Sequence, residues 1–269
     1  PYICYQEEYY TEGGAHPSYG TIYHTYNMKT DTSIRMQNLF SEQDILNALQ
    51  KNELIQDYLI ENKHDDVPTE VIVVDGGSRD GSVEIVSEIA SKNKDIHILK
   101  SEKGRAKQMN MGAKKAKYKI LYFLHADTFP PKNYNKIISK HIGNGASSGC
   151  FKMKFDSQHW WLVISGWLTH FNLKICRGGD QSLFVTKEVF NQLNGYDESY
   201  LIYEDNDFIA KLYKHHKFIV LPHWVTSSAR RYKSNGVWQL QYHFLIIHLK
   251  WYFGASAKQL ENYYIKHIK

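Results

Sequence analysis

One stretch of the sequence, residues 70–82, restricts the fold more than any other. Four consecutive apolar β-formers at 71–74 run directly into an aspartate, two glycines and a serine. An uninterrupted apolar run is typical of a strand that is covered on both faces of a parallel sheet. Open α/β sheets bind ligands at the carboxyl ends of their strands, where Asp75 would lie. The pattern therefore predicts an α/β fold with a ligand-binding loop after this strand.

The residues of this loop have candidate roles. Asp75 can accept hydrogen bonds from a ribose or a base, and Gly76 and Gly77 allow a turn and the close approach of a ligand. Asp80 or Ser82 would cap the helix that follows. A purely structural turn between a strand and a helix would use the same residues, so a function needs support from other motifs.

Strands and helices alternate after residue 70, which predicts a mostly parallel sheet flanked by helices. The first 40 residues differ, because their short alternating runs of Tyr, Gly and Thr predict β-hairpins. We therefore predict an atypical β-rich segment over residues 1–50 and an α/β domain over residues 51–269. Within that domain, residues 159–176 and 237–267 each read as one aromatic helix.

Charge and composition narrow the choice of partners. The 269 residues carry a net charge of +5, which favours anionic ligands such as phosphates but is too small to indicate nucleic acid. The three cysteines lack metal-ligand spacing, so we expect reduced thiols and a cytoplasmic location. No run reaches the roughly 18 apolar residues of a membrane span. The C-terminal aromatic helix would either pack on the core or lie at the inner face of a membrane.

A basic motif at residues 103–110 is suited to phosphate binding. Gly104 precedes a predicted helix that carries Arg105 and Lys107, so backbone amides, the helix dipole and cations would meet at one point. Asn110 adds a polar side chain about one turn along the same helix. A solvated basic face would account for the motif equally well.

Two further pairs of residues follow predicted strands. His125 and Asp127 are separated by one residue at a strand end, so they point to the same side and could hold Mg²⁺ or Mn²⁺. The histidine would favour Mn²⁺. Arg230 and Arg231 could clamp a phosphate. The alternatives are a strand-terminal cap for the first pair and surface arginines for the second.

Acidic residues gather at the start of another predicted helix, where Glu204 and Asp205 are adjacent. Clustered carboxylates raise at least one pKa, which suits a general base. Asp205 is our candidate for the base, with Glu204 as its support. Helix capping is the alternative, because a carboxylate is stabilised at any helix N-terminus.

Taken together, these motifs resemble the family 2 glycosyltransferases, and most closely the bacterial branch known as radical-SAM/selenodomain-associated transferase 2. The resemblance covers residues 61–269 with its order and spacing kept. The motifs are Asp-Gly-Gly-Ser-x-Asp-Gly-Ser at 75–82, Gly-Arg-Ala-x-Gln-Met-Asn at 104–110, Phe-Leu-His-Ala-Asp at 123–127, Gly-Gly-Asp-Gln at 178–181, Glu-Asp at 204–205 and Ser-Ala-Arg-Arg at 228–231.

This resemblance implies a GT-A fold, a nucleotide-diphospho-sugar donor such as a UDP-sugar, a divalent cation (Mn²⁺ or Mg²⁺) and inversion at the anomeric carbon. By position, Asp127 with His125 would hold the metal, and Asp205 with Glu204 would deprotonate the acceptor hydroxyl. The residues expected to bind the donor are Asp75, Gly76, Ser78, Asp80, Arg105, Gln108, Asn110, Asp180, Arg230 and Arg231. The acceptor would be a glycan, a lipid or a small molecule, and a homodimer is a further expectation.

The N-terminal part departs from this family. Family members begin with an apolar strand that ends in a Pro-x-x-Asn-Glu type motif, and residues 51–53, Lys-Asn-Glu, preserve only its end. Residues 1–50 instead resemble a Gly-Gly-Ala-His domain of cell-envelope anti-sigma factors and polysaccharide deacetylases. Two alternatives to an enzyme follow: a non-catalytic protein that binds sugar nucleotides or glycans, and an envelope-associated interaction protein.

Overall fold

The computed structural model describes residues 2–11, 18–27 and 67–268, and for the first two ranges it defines the backbone alone. The chain divides into two compact units, Pro1–Val73 with Ser78–Ile98, and Val74–Gly77 with Leu99–Lys269. The predicted domain boundary at residue 50 lies outside the described residues, so that boundary stays a prediction.

In the described residues, the first unit contains the N-terminal hairpin and the helix that follows residue 81. Strands β1 (Tyr2–Thr11) and β2 (Ser18–Asn27) pair antiparallel, which confirms a β-hairpin in this part of the chain. Helix α1 spans Ser82–Lys92, and its N-cap is Gly81 rather than the expected Asp80 or Ser82. Asp80 Oδ1 accepts a hydrogen bond from the Ser82 amide at 3.3 Å in the turn just before the helix.

The strand that first suggested an α/β fold is β3 (Val71–Asp75), which pairs with β4 (Ile96–Lys100). Backbone hydrogen bonds of 2.8 Å join Val71 to Asp95 near one end and Asp75 to Ser101 near the other, so the strands run parallel. The expected cover on both faces is not observed, because all five side chains of β3 are only half-buried. Among the described strands, β4 alone pairs with β3.

The second unit contains a five-stranded sheet in the order β5-β8-β7-β9-β6. Its strands are β5 (Ile120–Phe123), β6 (Thr128–Phe129), β7 (Ser148–Phe155), β8 (Leu183–Thr186) and β9 (Phe218–Ser227). The α/β class is confirmed, but this sheet is mixed rather than mostly parallel. Only β7 and β9 run parallel, because β8 enters between β5 and β7 in the opposite direction and β6 runs against β9.

Helices flank the strands of this unit. They are α2 (Arg105–Lys115), α3 (Tyr134–Gly143), α4 (Trp160–Leu168), α5 (Lys187–Gln192), α6 (Glu204–His215), α7 (Arg230–Asn235), α8 (Val237–Tyr252) and α9 (Ala257–His267). Phe208 and Leu212 of α6 are fully buried in a core cluster that includes Val185 of β8 and Phe190 of α5. Each such side chain stabilises the fold by about 1.5–3 kcal/mol, so the position of α6 is firmly fixed.

The C-terminal tail forms two helices where one was expected. Gly254, with a φ of 85°, ends the continuation of α8, and Ser256 opens α9 with a capping box that involves Gln259. Ile247 of α8 and Leu260 of α9 then share one buried cluster. No helix in the described part of the chain combines the length and apolarity that a bilayer crossing requires.

The aromatic segment at 159–176 is also interrupted, since α4 ends at Leu168 and a short 3-10 turn occupies Lys174–Cys176. Arg177, which is buried, holds this segment together. Its guanidinium donates to the carbonyls of Thr169, Phe171 and Leu173, to Gln181 Oε1 and to Cys150 Sγ. None of these acceptors is a carboxylate, so a buried cation is stabilised here by neutral groups.

Candidate active site

Several predicted residues meet in the second unit, at the first turns of α2 and α6, the end of β5 and the turn before β8. The group that makes direct contacts consists of Arg105, His125, Asp180, Glu204 and Asp205. Asp127, Arg230 and Arg231 form a second, neighbouring group, described below. Residues far apart in sequence thus form one charged cluster.

Arg105 and Glu204 form the innermost ion pair of this cluster. Arg105 Nη2 donates to Glu204 Oε2 at 3.2 Å, and Arg105 Nε lies 2.6 Å from Oε1 without hydrogen-bond alignment. The Glu204 side chain is 0% exposed, so its charge depends on this partner. Burial and the charge of Asp205 raise the pKa of Glu204, and Arg105 opposes that rise.

His125 lies between two carboxylates. Its Nδ1 is 3.4 Å from Asp180 Oδ1, and its Nε2 is 3.7 Å from Asp205 Oδ2. Burial alone would lower the pKa of His125, but the hydrogen bond to Asp180 and the charges of Asp205 and Asp180 raise it to about 9. The imidazole is therefore a cation at neutral pH, and it orients the Asp205 carboxylate.

Gly179 allows this arrangement. A Cβ at this position would lie 2.0 Å from Asp205 Oδ2 and 3.1 Å from His125 Cε1, so any side chain would displace the carboxylate. Gly179 was part of the Gly-Gly-Asp-Gln motif at 178–181, but no role was assigned to it from the sequence. The only available signal was the glycine pair at 178–179, and the close approach itself is visible only in three dimensions.

Tyr196 is a second residue that sequence reasoning missed. It is buried, and its hydroxyl has no hydrogen-bond partner among the described residues. Burial and the charges of Asp205 and Glu204 raise its pKa well above the ordinary value, so it stays a phenol beside the two carboxylates. The available signal was its place between Gly195 and Asp197, a few residues before the predicted acidic pair.

Asp127 and the two arginines lie where β6 pairs with β9. Asp127 Oδ2 is 3.6 Å from Arg230 Nη2, and its carboxylate is 40% exposed. Arg231 stacks over the rings of Phe244 and Tyr264, at 5.9 and 5.3 Å from their centroids. Burial and the charge of Arg105 lower the pKa of Arg231, which indicates that these guanidinium groups face a shared space.

Metal binding by a protein cage is not supported. Within the residues that the structure describes, no three His, Cys, Asp or Glu side chains converge in the manner of a metal site. Asp127 alone fits a cation that takes one or two protein carboxylates and completes its shell with water and phosphate. Both His125 nitrogens face carboxylates, those of Asp180 and Asp205, and the role of His125 as a metal ligand stays a prediction.

The end of β3 is tied to α2. Gln108 Nε2 donates to Val74 O at 2.7 Å, and its side-chain amide would lie 2.9 Å from a Cβ at Gly76. Asp75 Oδ2 accepts a hydrogen bond from the amide of Gly77 at 2.9 Å. Gly76 therefore lacks a side chain because Gln108 occupies that space, and Gln108 supports the loop.

Three other predicted donor-binding residues have different surroundings. Asn110 bonds the backbone N–H and C=O of Tyr196 at 3.0 and 2.9 Å, and it also donates to Glu198. Both of its polar atoms are thus used to hold the loop before α6. Ser78 and Asp80 belong to the first unit, and their role in donor binding stays a prediction.

One contact extends from the cluster to the C-terminal helices. Tyr203, directly before Glu204, has a φ of 74° and hydrogen-bonds His248 of α8 through its hydroxyl. Burial raises the pKa of Tyr203, and burial with the charge of Lys174 lowers the pKa of His248. At neutral pH the phenol therefore donates and the neutral imidazole accepts.

The described residues thus bring paired carboxylates, cations and a helix N-terminus together near strand ends of the second unit. The sequence profile described as Glycosyl transferase family 2 matches residues 46–190. This match covers more than half of the 269 residues, so the chain belongs to glycosyl transferase family 2. The family resemblance and the GT-A fold class expected from the motifs are confirmed, whereas the likeness of residues 1–50 to an envelope domain stays a prediction.

No curated protein shows significant similarity to the chain. Among solved structures, it is similar to the mannosyltransferase PcManGT from Pyrobaculum calidifontis, in complex with GDP-Man and Mn²⁺, with 17% identity and a TM-score of 0.49. That match covers 65% of this chain and 53% of the mannosyltransferase, so the chain spans about half of that relative. GalNAc-T7 with UDP, GalNAc and Mn²⁺ matches with 14% identity, a TM-score of 0.46 and coverage of 60% and 38%.

Proposed function

We propose that the chain transfers a sugar from a nucleoside-diphospho-sugar to an acceptor hydroxyl, with inversion at the anomeric carbon and with the help of a divalent cation. One observation carries the proposal: in a family 2 chain, the Asp205 carboxylate is held by His125 and Gly179 beside the Arg105–Glu204 pair. This arrangement supports general-base chemistry next to a cationic site.

The donor side would be built from cations and from a helix end. Arg105 begins α2, so its guanidinium and the free amides of the first turn suit the negative charge of a diphosphate. Arg230 and Arg231 supply further positive charge. Asp127 would hold Mn²⁺ or Mg²⁺, and the bound cation would offset the charge that develops on the leaving diphosphate.

Asp205 is the better candidate for the base. Glu204 is fully buried and engaged by Arg105, whereas 10% of the Asp205 side chain remains exposed. Asp205 would take the proton of the acceptor hydroxyl while that oxygen attacks the anomeric carbon. The new carbon–oxygen bond forms on the face opposite the bond to the diphosphate, which breaks and releases the nucleoside diphosphate.

Nucleotide binding provides the first test. Calorimetric titration of UDP, GDP and dTDP, with and without Mn²⁺, should reveal metal-dependent binding of at least one of them. Asp127→Ala should weaken binding about tenfold or more in Mn²⁺, and Asp95→Ala, an exposed carboxylate of the first unit, should leave it unchanged. Unchanged affinity in Asp127→Ala would remove Asp127 from the metal site, and no binding of any nucleotide would overturn the donor assignment.

Chemistry is tested separately from binding. Asp205→Asn should keep nucleotide affinity and slow the release of nucleoside diphosphate from the sugar nucleotide by about a hundredfold, the usual scale of general-base loss. The matched control is Asp197→Asn, an exposed carboxylate that caps a nearby turn through Ser199. An active Asp205→Asn variant would move the base to another residue, with Glu204 as the next candidate.

A further inference from the structure

The outward faces of α4 and α8 are apolar, which is unusual for the surface of a soluble domain. On α4 the exposed residues recur at helical spacing: Trp160, Val163, Ile164 and Trp167. On α8 the same holds for Trp238, Tyr242, Leu245 and Leu249. The opposite faces of both helices are buried, with Leu162 and Leu240 in one core cluster. Each helix therefore carries apolar side chains both toward the core and toward solvent.

The two outward stripes form one surface. The rings of Trp160 and Trp238, both more than half exposed, lie 5.6 Å apart at the first turns of α4 and α8. At the other end, Lys174 Nζ lies 5.4 Å from the ring of Trp251, which joins the segment after α4 to the last turn of α8. We call this region, the outer faces of α4 and α8 with residues 171–175 between them, the two-helix surface.

The segments that form this surface contain basic residues and no acidic ones, and Asp207 of α6, which lines the same depression as Lys174, is paired with Lys211. No Asp or Glu occurs between Asp156 and Asp180, or between Asp207 and Glu261. Lys174, which follows the exposed Leu173, is the charged side chain of the two-helix surface, whereas Lys250, which follows Leu249, places its Nζ 5.3 Å from the Tyr263 ring of α9. A second copy of the chain would place cations against cations, whereas an anionic lipid surface would complement them.

We propose that the two-helix surface docks onto an anionic lipid bilayer. The side chains suit the interface, because Trp and Tyr place apolar rings at the headgroup level and lysines reach lipid phosphates with their charged ends. The helices lie on the bilayer and do not cross it. The C-terminal aromatic segment, which was considered for membrane contact from its sequence, thus supplies only half of the surface through α8. Helix α4 supplies the other half.

Co-sedimentation with vesicles tests this proposal without any nucleotide. Membrane docking can therefore fail while the proposed glycosyl transfer holds, and glycosyl transfer can fail while membrane docking holds. The wild-type chain should partition onto phosphatidylcholine vesicles that contain phosphatidylglycerol, and less so as salt rises. The double variant Trp167→Ser with Leu245→Ser should lose at least about tenfold in partition. Lys174→Gln should lose about fivefold, on the anionic vesicles only.

The control is Tyr118→Ser, which removes an exposed aromatic ring just before β5 and should change nothing. An unchanged circular dichroism spectrum and an unchanged midpoint of urea unfolding would show that the variants are folded. The proposal is overturned if partition is equal on vesicles with and without phosphatidylglycerol, or if the double variant binds like the wild type. It is also overturned if the chain ignores vesicles and sediments as a dimer that the double variant dissociates.

Discussion

Arg105 and Arg177 both belong to the second unit, but Arg105 pairs with a carboxylate and Arg177 with neutral groups. Arg177 is buried, and its described acceptors are carbonyls, an amide oxygen and a thiol. Arg105 remains partly exposed and pairs with the buried carboxylate of Glu204, next to Asp205. The contrast teaches that a buried arginine does not mark an active site by itself. An active site is better indicated by titratable partners whose pKa values are shifted, because such groups leave charge available to a ligand.

The largest expected effect distinguishes the two arginines by stability. Arg177→Met would leave several buried acceptors without a donor, so the free energy of unfolding should fall by about 3–5 kcal/mol. Arg105→Met should cost much less, because Glu204 can take up a proton. Urea unfolding of both variants measures the difference. Equal losses would mean that Arg105 is also mainly structural.

A second experiment tests whether the close packing of Gly179 against Asp205 and His125 matters for activity. Gly179→Ala would place a methyl group against Asp205 and His125, and overpacking of this kind costs about 1–3 kcal/mol. The release of nucleoside diphosphate from a sugar nucleotide should therefore slow more than tenfold. Gly178→Ala is the matched control, because no atom lies within 4 Å of the added Cβ. Similar rates for both variants would contradict the geometry.

The pH dependence of stability provides a third distinction. The pKa of Glu204 is raised from 4.5 to about 7, so above pH 4.5 the folded chain retains a proton that the unfolded chain loses. Its contribution to stability is complete below pH 4.5 and declines until about pH 7. Urea titrations measure the free energy of unfolding at pH 5 and at pH 7. Between these two values it should fall by about 2 kcal/mol less in Glu204→Gln than in the wild type. Parallel curves would contradict this cause.

The smallest effect concerns the thiol beside Arg177. Burial raises the pKa of Cys150 to about 11, although Arg177 opposes the rise, so this thiol should resist alkylation at pH 8. Cys176, which is half-buried, should react before Cys150. Cys150→Ala should lower the free energy of unfolding by about 1 kcal/mol. Rapid alkylation of Cys150 in the native chain would show that the Arg177 network opens readily.

Local patterns in the sequence predicted much of the fold. Helix α6 begins at the acidic pair where a helix was predicted, because an acidic first turn, buried apolar positions and a basic last turn all agree. The break between α8 and α9 was missed, although Ser256 and Gln259 form a capping-box pattern just after Gly254. The direction of β8 was not readable from the sequence, because strand order depends on contacts between distant segments.

The site was predicted as a set of residues but not as a geometry. The motifs identified His125 and Asp205, yet the contact of His125 with two carboxylates depends on where β5 and α6 end. The contacts of Asn110 with the backbone of Tyr196 were not predicted, and its role at the donor stays a prediction. A motif fixes which side chains are present, whereas their partners follow from tertiary packing.

The hydrogen bond between Tyr203 and His248 has a mechanical consequence. Tyr203 occupies a left-handed backbone position that a side chain adopts only at a cost of about 1–2 kcal/mol, and its ring is held from the far side by α8. Glu204 and Asp205 follow it directly, and Ile202 and Tyr203 both pack against α8 through Ile247 and Trp251. A displacement of α8 would therefore be expected to shift the first turn of α6 and its two carboxylates.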